Sequence, residues 1–214
     1  MALCGSTVPK ERENKGYTVY VEIPKKMKER MGFLEEIDRR DRSDGTDRLR
    51  RLRQIPPDTG KFLALLAANC PDGQFVEIGT SAGYSSLWIS LALKPRGIRL
   101  KTFEILAAKA ALARETFKLS GVDDDVELIE GDFLHQHTRV SNISFCFIDC
   151  EKDLYVPCFD LVAGKMLSGG LIVADNAIDH YDSVKPMMER AERDNRFDCL
   201  MVPIGKGEFV CRRK

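Results

Sequence analysis

The sequence has no excess of charge of either sign and no long apolar run. Its 33 Lys and Arg residues balance 33 Asp and Glu residues, so binding to nucleic acid or membranes would need a local patch. No apolar run approaches the roughly 18 residues that a membrane-spanning helix requires. The N-terminus also lacks the basic-then-apolar pattern of a signal peptide. These absences favour a cytoplasmic protein with no membrane partner.

Paired cysteines are missing as well. The seven cysteines form no C-x-x-C motif, and several lie in apolar stretches, where a thiol packs as a small hydrophobic group. We therefore expect reduced thiols. The chain has 214 residues, of which 43% are hydrophobic and 31% are charged. This length and composition are typical of one globular domain with a well-formed core.

Residues 74–85, QFVEIGTSAGYS, are the segment around which the other motifs are arranged. The apolar run at 75–78 predicts a buried strand, and the small residues after it lead into an apolar helical pattern at 82–93. Gly79 and Gly83 allow a ligand to approach the backbone, and free amides at a helix start can bind a polar group. The alternative is a strand-turn-helix whose glycines serve only packing.

This loop lacks the G-x-G-x-x-G pattern of nicotinamide-binding proteins. Glu77 precedes Gly79 and gives the pattern E-x-G-x-x-x-G. A carboxylate there would repel a pyrophosphate, so an NAD-dependent oxidoreductase is disfavoured and a cationic ligand is favoured. S-adenosylmethionine carries a sulfonium and an ammonium group, and the pattern resembles the first motif of the Rossmann-like methyltransferases.

Alternating strand and helix patterns follow this loop. Strands are predicted at 98–103, 126–129, 143–148 and 171–174, with Gly169-Gly170 ending the helix before the last of them. Such alternation predicts a parallel sheet with helices on both faces. Ligands of these sheets bind at the carboxyl ends of the strands. The polar residues at those ends are Glu77, Glu104, Asp149, Asp175 and Asn176.

Two neighbouring strand ends carry oxygen ligands suited to a metal. Asp149, Asp175 and Asn176 offer two carboxylates and an amide oxygen, a set that suits Mg²⁺. Lys152 follows Asp149 by three residues and can turn its amine toward the same place. The alternative for Lys152 is a surface lysine paired with a neighbouring carboxylate.

Two other acidic residues are candidates for binding a nucleoside. Glu104, at the tip of the second strand, can accept hydrogen bonds from both ribose hydroxyls, or it can be an exposed residue at a helix start. Asp132, after the third strand, can lie near an adenine or cap the short helix that follows. His135 and His137 are interpreted as surface residues.

The first part of the chain gives weaker signals. Residues 1–16 are predicted to be a loose arm, residues 24–40 a helix, and Asp58 or Thr59 the cap of the next helix. Residues 39–53 hold seven arginines interleaved with three aspartates. We interpret them as a solvated helix surface, with an RNA-contacting patch as the less favoured alternative.

Residues 50–214 resemble the metal-dependent class I S-adenosylmethionine O-methyltransferases of the caffeoyl-CoA and catechol type. The matching segments are IPPDTG, VEIG with GYS, FIDCEKDLY, ADN and PIGKGEFVCRR. The resemblance implies a Rossmann-like fold, with a mostly parallel seven-stranded sheet, a C-terminal antiparallel hairpin and helices on both faces. Residues 55–214 would be the methyltransferase domain and 1–54 a helical extension packed on it. A homodimer is also implied.

The resemblance further implies a role for each matching residue. S-adenosylmethionine would be bound by Ile55, Glu77, Gly79, Thr80, Ser85, Glu104, Asp132, Phe133 and Asp149. A divalent cation, Mg²⁺, would be held by Asp149, Asp175 and Asn176, and Lys152 would be the general base.

The implied function is methylation of a small catechol-like acceptor. The segment after Asn176, at 177–182, is shorter than the loop of the plant members, so a more open acceptor site is expected and caffeoyl-CoA is not supported as the acceptor. A tRNA hydroxyuridine O-methyltransferase of the same fold and a non-catalytic S-adenosylmethionine-binding protein remain as alternatives.

Overall fold

Seven strands form one sheet in the order β3-β2-β1-β4-β5-β7-β6 in the computed structural model, which describes residues 23–214. The strands are β1 Gln74–Ile78, β2 Leu100–Glu104, β3 Val126–Glu130, β4 Ile143–Ile148, β5 Met166–Ala174, β6 Phe197–Val202 and β7 Glu208–Arg213. The first five strands are parallel to one another, and β7 runs antiparallel to β5 and β6. The predicted mostly parallel sheet with a C-terminal antiparallel hairpin is confirmed. The loose arm predicted at 1–16 lies outside the described residues.

Helices cover both faces of the sheet, as predicted. They are α1 Lys25–Asp41, α2 Pro57–Asn69, α3 Tyr84–Leu93, α4 Ala107–Ser120, α5 Phe133–Gln136, α6 Tyr155–Ala163 and α7 Tyr181–Arg193. Apolar residues of α1 to α4 form one buried cluster, and those of α5 to α7 form another. Every residue of β4 is buried, which explains why its sequence is apolar at every position except Ser144. Within 23–214, no helix is both long and apolar enough to cross a bilayer.

Gly169 and Gly170 lie inside β5 and not at the end of a helix, so the prediction for them was wrong. The helix before them already ends at Ala163. The pairing of β4 with β5 shifts register between Ile143 and Phe145, which marks a bulge. A Cβ at position 170 would lie 2.8 Å from the Ser144 carbonyl oxygen. Gly170 is therefore needed where two backbones approach each other, whereas Gly169 has a φ of +81°, a conformation that favours glycine.

The start of α2 also differs from the prediction. Neither Asp58 nor Thr59 caps it, because α2 begins at Pro57 and Pro56 occupies the N-cap position without a side-chain bond. Proline suits the first helical position, where its missing N–H has no partner to lose. Asp58 instead lies in the first turn, where a carboxylate interacts favourably with the helix dipole.

Two helical glycines should respond in opposite ways to substitution by alanine. A Cβ at Gly60 of α2 would overlap the indole ring of Trp88, whereas nothing lies within 4 Å of a Cβ at Gly32 of α1. Gly60→Ala should therefore lower the free energy of unfolding by about 1–3 kcal/mol. Gly32→Ala, the matched control, should raise it by about 0.5–1 kcal/mol. Urea unfolding would measure both, and equal stabilisation by the two changes would contradict the packing of α2 on Trp88.

Candidate active site

A cavity of about 360 Å³ opens at the carboxyl ends of the parallel strands. It is bounded by the loops after β1 to β5, the first turn of α4 and residues of the 42–55 segment. Ten of the predicted site residues line it: Ile55, Gly79, Thr80, Ser85, Glu104, Asp132, Phe133, Asp149, Lys152 and Asn176. Glu77 and Asp175 do not line it, because both are fully buried.

Gly79 packs the loop after β1 against the loop after β4. Its φ is +106°, a conformation that favours glycine, and a Cβ there would overlap the carbonyl oxygen of Asp149. The amides of Gly79 and Thr80 both donate to the Phe103 carbonyl, at 3.0 and 3.1 Å. The glycine is thus needed for packing, and the same loop forms part of the cavity wall.

Glu77 lies beneath the cavity and not in its wall. Strand residues alternate between faces, and Glu77 points to the same side as Phe75, beneath α3. Its carboxylate accepts hydrogen bonds from Ser85 Oγ and Thr102 Oγ1, both at 2.5 Å, and from Ser86 Oγ. The structure therefore gives Glu77 a positioning role, in place of the direct cofactor contact that the resemblance implies.

Burial dominates the electrostatics of Glu77. It raises the pKa of this carboxyl to about 7, although the three hydroxyl hydrogen bonds act in the opposite direction. The network joins β1, β2 and the first turn of α3. Because Ser85 also lines the cavity, Glu77 fixes the orientation of a side chain that a ligand can contact.

Glu104 lies in the cavity wall with only 6% of its surface exposed. Its two carboxylate oxygens accept from the backbone amides of Ser81, at 2.7 Å, and Leu106, at 2.8 Å. These bonds fix the carboxylate and leave lone pairs on both oxygens. Glu104 is therefore not an exposed helix-start residue, and it can still accept hydrogen bonds from two hydroxyls.

Asp132 and Phe133 line the cavity beyond Glu104. Asp132 caps α5, because its Oδ1 accepts a hydrogen bond from the Leu134 amide at 2.9 Å. The capping alternative is therefore confirmed, and Asp132 also lines the cavity. Phe133 is buried and packs edge-to-face on Phe103, with ring centroids 5.0 Å apart and an angle of 81°. His135 is exposed and lies outside the cavity wall.

Asp149, Asp175 and Asn176 meet at the ends of β4 and β5. Asn176 Nδ2 lies 2.6 Å from Asp175 Oδ2 and 3.2 Å from Asp149 Oδ1. Asn176 has a φ of +65°, a left-handed conformation that asparagine tolerates better than most residues. Turning the amide over presents its oxygen to the same two carboxylates. The three predicted ligands are thus in contact with one another.

Burial and mutual repulsion dominate the electrostatics of this group. Asp175 Oδ1 is buried and has no hydrogen-bond partner within 23–214. Burial, and then the charge of Asp149, raise the pKa of Asp175 to about 6. Buried carboxylate oxygens without partners are costly, and a divalent cation that prefers oxygen ligands would satisfy them. The residues therefore fit the cation that the resemblance implies.

Lys152 turns toward this group and not toward its acidic neighbours in the sequence. Its Nζ lies 3.2 Å from Asp149 Oδ1, 2.7 Å from Tyr155 Oη and 3.3 Å from the Cys150 carbonyl oxygen. Tyr155 is fully buried and in turn donates to the Asp175 carbonyl at 3.2 Å. The surface alternative for Lys152 is therefore wrong.

Glu208 belongs to the same region, and the sequence analysis missed it. It begins β7 and is fully buried, with no hydrogen-bond partner for either oxygen among residues 23–214. Burial, and then the carboxylate of Asp175, raise its pKa well above the ordinary range. The resemblance covers the whole hairpin segment and does not single out Glu208. A charged residue directly before the apolar run of a strand was the signal that could have identified it.

The interpretation of the arginine-rich residues as a solvated helix surface was correct only in part. Arg39 and Arg40 are exposed in the last turn of α1, but the residues after Asp41 are not helical. α1 ends at Asp41, and the irregular segment 42–53 lies at the cavity. Arg48 and Arg53 both pair with Glu151, at 3.2 and 2.5 Å, and Ser81 Oγ donates to the Leu52 carbonyl at 2.9 Å. Long-range contacts with the loops after β1 and β4 decide this conformation. Charge composition does not encode such contacts.

The buried position of Glu77 predicts a pH dependence of stability. A carboxyl whose pKa rises from 4.5 to about 7 on folding stabilises the fold below pH 4.5, and that contribution is lost as the pH rises through 7. The loss should be roughly 3 kcal/mol at most. Glu77→Gln does not titrate, so its unfolding free energy relative to wild type should increase between pH 4.5 and pH 7.5. Urea unfolding at both pH values would measure this, and a constant difference would contradict it.

Comparison with known proteins agrees with this geometry. Residues 25–214 match a family model described as O-methyltransferase. A catechol O-methyltransferase of Niastella koreensis is 34% identical over 151 residues, which cover 66% of this chain and 68% of that protein. Caffeoyl-CoA O-methyltransferase 1 of Eucalyptus globulus is 27% identical over 180 residues, covering 73% of each chain.

The fold is also shared with solved structures. The O-methyltransferase from Bacillus cereus, solved in complex with SAH, superposes with a TM-score of 0.73 at 22% identity, covering 91% of this chain and 94% of that one. The family match spans nearly all of the described residues. The chain therefore belongs to the O-methyltransferase family and is an S-adenosylmethionine-dependent O-methyltransferase.

Proposed function

We propose that this enzyme methylates one hydroxyl of a small vicinal diol of the catechol kind, with Mg²⁺ or a similar divalent cation as a second cofactor. The observation that carries the proposal is the contact of Asn176 with Asp149 and Asp175, with Lys152 beside them, at the edge of the cavity. The name of the Niastella koreensis relative, catechol O-methyltransferase, supports the choice of acceptor.

The donor occupies the part of the cavity between Ile55 and Phe133 in this proposal. The backbone of Gly79 and Thr80, with Ser85, binds the methionine portion, and Glu104 binds the ribose through its two fixed oxygens. Phe133 and Asp132 lie at the adenine end. When bound, S-adenosylmethionine supplies a methyl group activated by its positive sulfur. The chain's role is to hold this donor in line with the acceptor oxygen, which accounts for a large part of such catalysis.

The acceptor side depends on the oxygen ligands and on Lys152. Asp149, Asp175 and Asn176 would hold the divalent cation, which would supply Lewis-acid activation of a hydroxyl. Lys152 is the general base in this proposal and accepts the proton of that hydroxyl at Nζ. Its contacts with Asp149 and Tyr155 hold Nζ beside the proposed oxygen ligands, where a general base for a hydroxyl bound there would be needed.

Lys152 should be required for turnover far more than for binding of the donor. Lys152→Met should lower kcat by about 10²–10⁴-fold, the usual contribution of a general base, while the Kd for S-adenosylmethionine changes little. Steady-state kinetics and calorimetry would measure the two effects. Lys118→Met, an exposed change at the far end of α4, is the control. Activity retained in Lys152→Met would exclude Lys152 as the base.

Binding of the acceptor should depend on the cation. With S-adenosylmethionine present, dihydroxybenzoate should bind in Mg²⁺ and lose about 100-fold or more in affinity in EDTA or in Asp175→Ala. Asp175 is the better ligand to replace, because it does not line the cavity and its loss should leave donor binding largely intact. Asp153→Ala, at an exposed neighbour of Lys152, serves as the control. Equal binding with and without EDTA would refute the metal-dependent reading.

An RNA acceptor is supported less well, by the arginine-rich segment alone, than the small diol is by the oxygen ligands. Arg48 and Arg53 are already paired with Glu151, whereas Arg50 is exposed and has no carboxylate within 4.0 Å among residues 23–214. If RNA were the acceptor, replacing Arg50 and Arg51 by Gln should reduce both RNA affinity and its salt dependence. For a small diol the same changes should have no effect on KM.

A further inference from the structure

Lys206 is a cation of the cavity wall that the proposed reaction does not use. It lies in the loop between β6 and β7, and its backbone is fixed to the segment that follows the predicted metal ligands. The amides of Ile178 and Asp179 both donate to the Lys206 carbonyl at 3.1 Å, and the Ala177 amide donates to the Gly207 carbonyl at 2.8 Å. Lys206 is therefore held at a defined distance along the backbone from Asn176, on the acceptor side of the site.

The ammonium group of Lys206 is incompletely satisfied. It is half-buried and lines the cavity. Its Nζ donates to the Gln54 carbonyl at 3.2 Å, and no carboxylate oxygen of residues 23–214 lies within 4.0 Å of it. An ammonium has three donors, so at least one is free to bind a group in the cavity.

The arginines on this side have carboxylate partners, although Arg48 and Arg53 share one, Glu151. Lys109, in the first turn of α4, also lines the cavity and has no carboxylate oxygen within 4.0 Å among residues 23–214. Arg42 pairs with Asp38 at 2.7 Å, and Arg48 pairs with Glu151 at 3.2 Å. Asp179 also borders the cavity, but it is exposed to solvent, which weakens its effect on a bound group. With a divalent cation balancing Asp149 and Asp175, Lys206 leaves a positive charge beside the acceptor.

We propose that Lys206 binds a carboxylate on the acceptor, so that the preferred substrates are catechols carrying an anionic substituent. This inference rests on the proposed function and specifies its substrate class. A half-buried ammonium with free donors forms a charge-assisted hydrogen bond to a carboxylate. The same group offers no favourable partner to a neutral substituent and would repel a cationic one.

Three diols that differ in charge test the proposal: 3,4-dihydroxybenzoate, its neutral methyl ester and 3,4-dihydroxybenzylamine, whose alkyl ammonium is cationic. Wild type should give the highest kcat/KM with the acid. Lys206→Met should lower the acid-to-ester ratio of kcat/KM by about tenfold. Lys206→Arg should retain the preference, and Lys206→Glu should shift it toward the amine. Calorimetric Kd values for the acid and the ester should follow the same order.

A purely structural role for Lys206 predicts a different result. Its charge lowers the pKa of Asp175, so its loss could act through the metal ligands and not through the acceptor. In that case the acid, ester and amine would all lose kcat/KM by the same factor, and the inference would be wrong. Lys94→Met removes an equal charge from the opposite end of the sheet, where Lys94 pairs with Asp125 at 2.8 Å, and should leave the ratios unchanged.

The outcome also separates this inference from the function on which it rests. Equal wild-type efficiency with all three diols would overturn the role of Lys206 and leave the diol methyltransferase intact. Turnover of none of them, with Mg²⁺ and S-adenosylmethionine supplied, would refute the proposed function and the inference with it. A preference for the acid that Lys206→Met does not reduce would assign the selectivity to another residue and would also overturn the inference.

Discussion

The contact between the backbones of Gly79 and Asp149 is the constraint on which the site depends. β1 and β4 are neighbours in the sheet, and the Asp149 amide donates to the Ile78 carbonyl at 2.9 Å. Any side chain at position 79 would overlap the Asp149 carbonyl oxygen. The loop after β1 and the loop that carries Asp149, the first of the proposed metal ligands, are thus joined directly. Alignment errors of about 1 Å can cost 10²-fold in rate. The direct contact between the two loops restricts their relative position, which the packing of either loop alone would not do.

A buried polar network supports that junction from below. Glu77 holds two serines of α3 and Thr102 of β2, which fixes the helix start that follows the glycine loop. A buried carboxyl with a pKa near 7 costs stability when it ionises, so it is a poor choice if only stability is considered. The hydrogen bonds of this carboxyl nevertheless join β1, β2 and α3 and fix their relative positions. In this respect Glu77 acts on the site through Ser85, and not through a ligand.

The sequence predicted those parts of the site that follow from strand topology. Glu104, Asp149, Asp175 and Asn176 were found because the carboxyl ends of parallel strands meet at one edge of the sheet. The role of Glu77 was not found, because the E-x-G pattern does not say on which face of the strand the carboxylate lies. Glu208 comes from an antiparallel hairpin, outside the rule that located the other residues. The bulge at Gly169-Gly170 was missed because the same glycines can end a helix or relieve a close backbone contact.

The segment 42–53 shows why charge composition alone misled the interpretation. Its pairs with Glu151 are partly exposed, and such pairs contribute at most about 1 kcal/mol each. The segment is held instead by burial of Leu52, whose amide donates to Asp41 at 2.8 Å, and by the Gln54 amide, which donates to Asp38 at 3.0 Å.

The aspartates that appeared to neutralise arginines along the sequence thus cap backbone amides. The arginines then take Glu151 as their partner, across about 100 residues of chain. The charge balance of the cavity is therefore set by tertiary contacts. Only after those contacts are counted does Lys206 emerge as a cavity cation, beside the segment that follows Asn176, that has no carboxylate partner among the described residues.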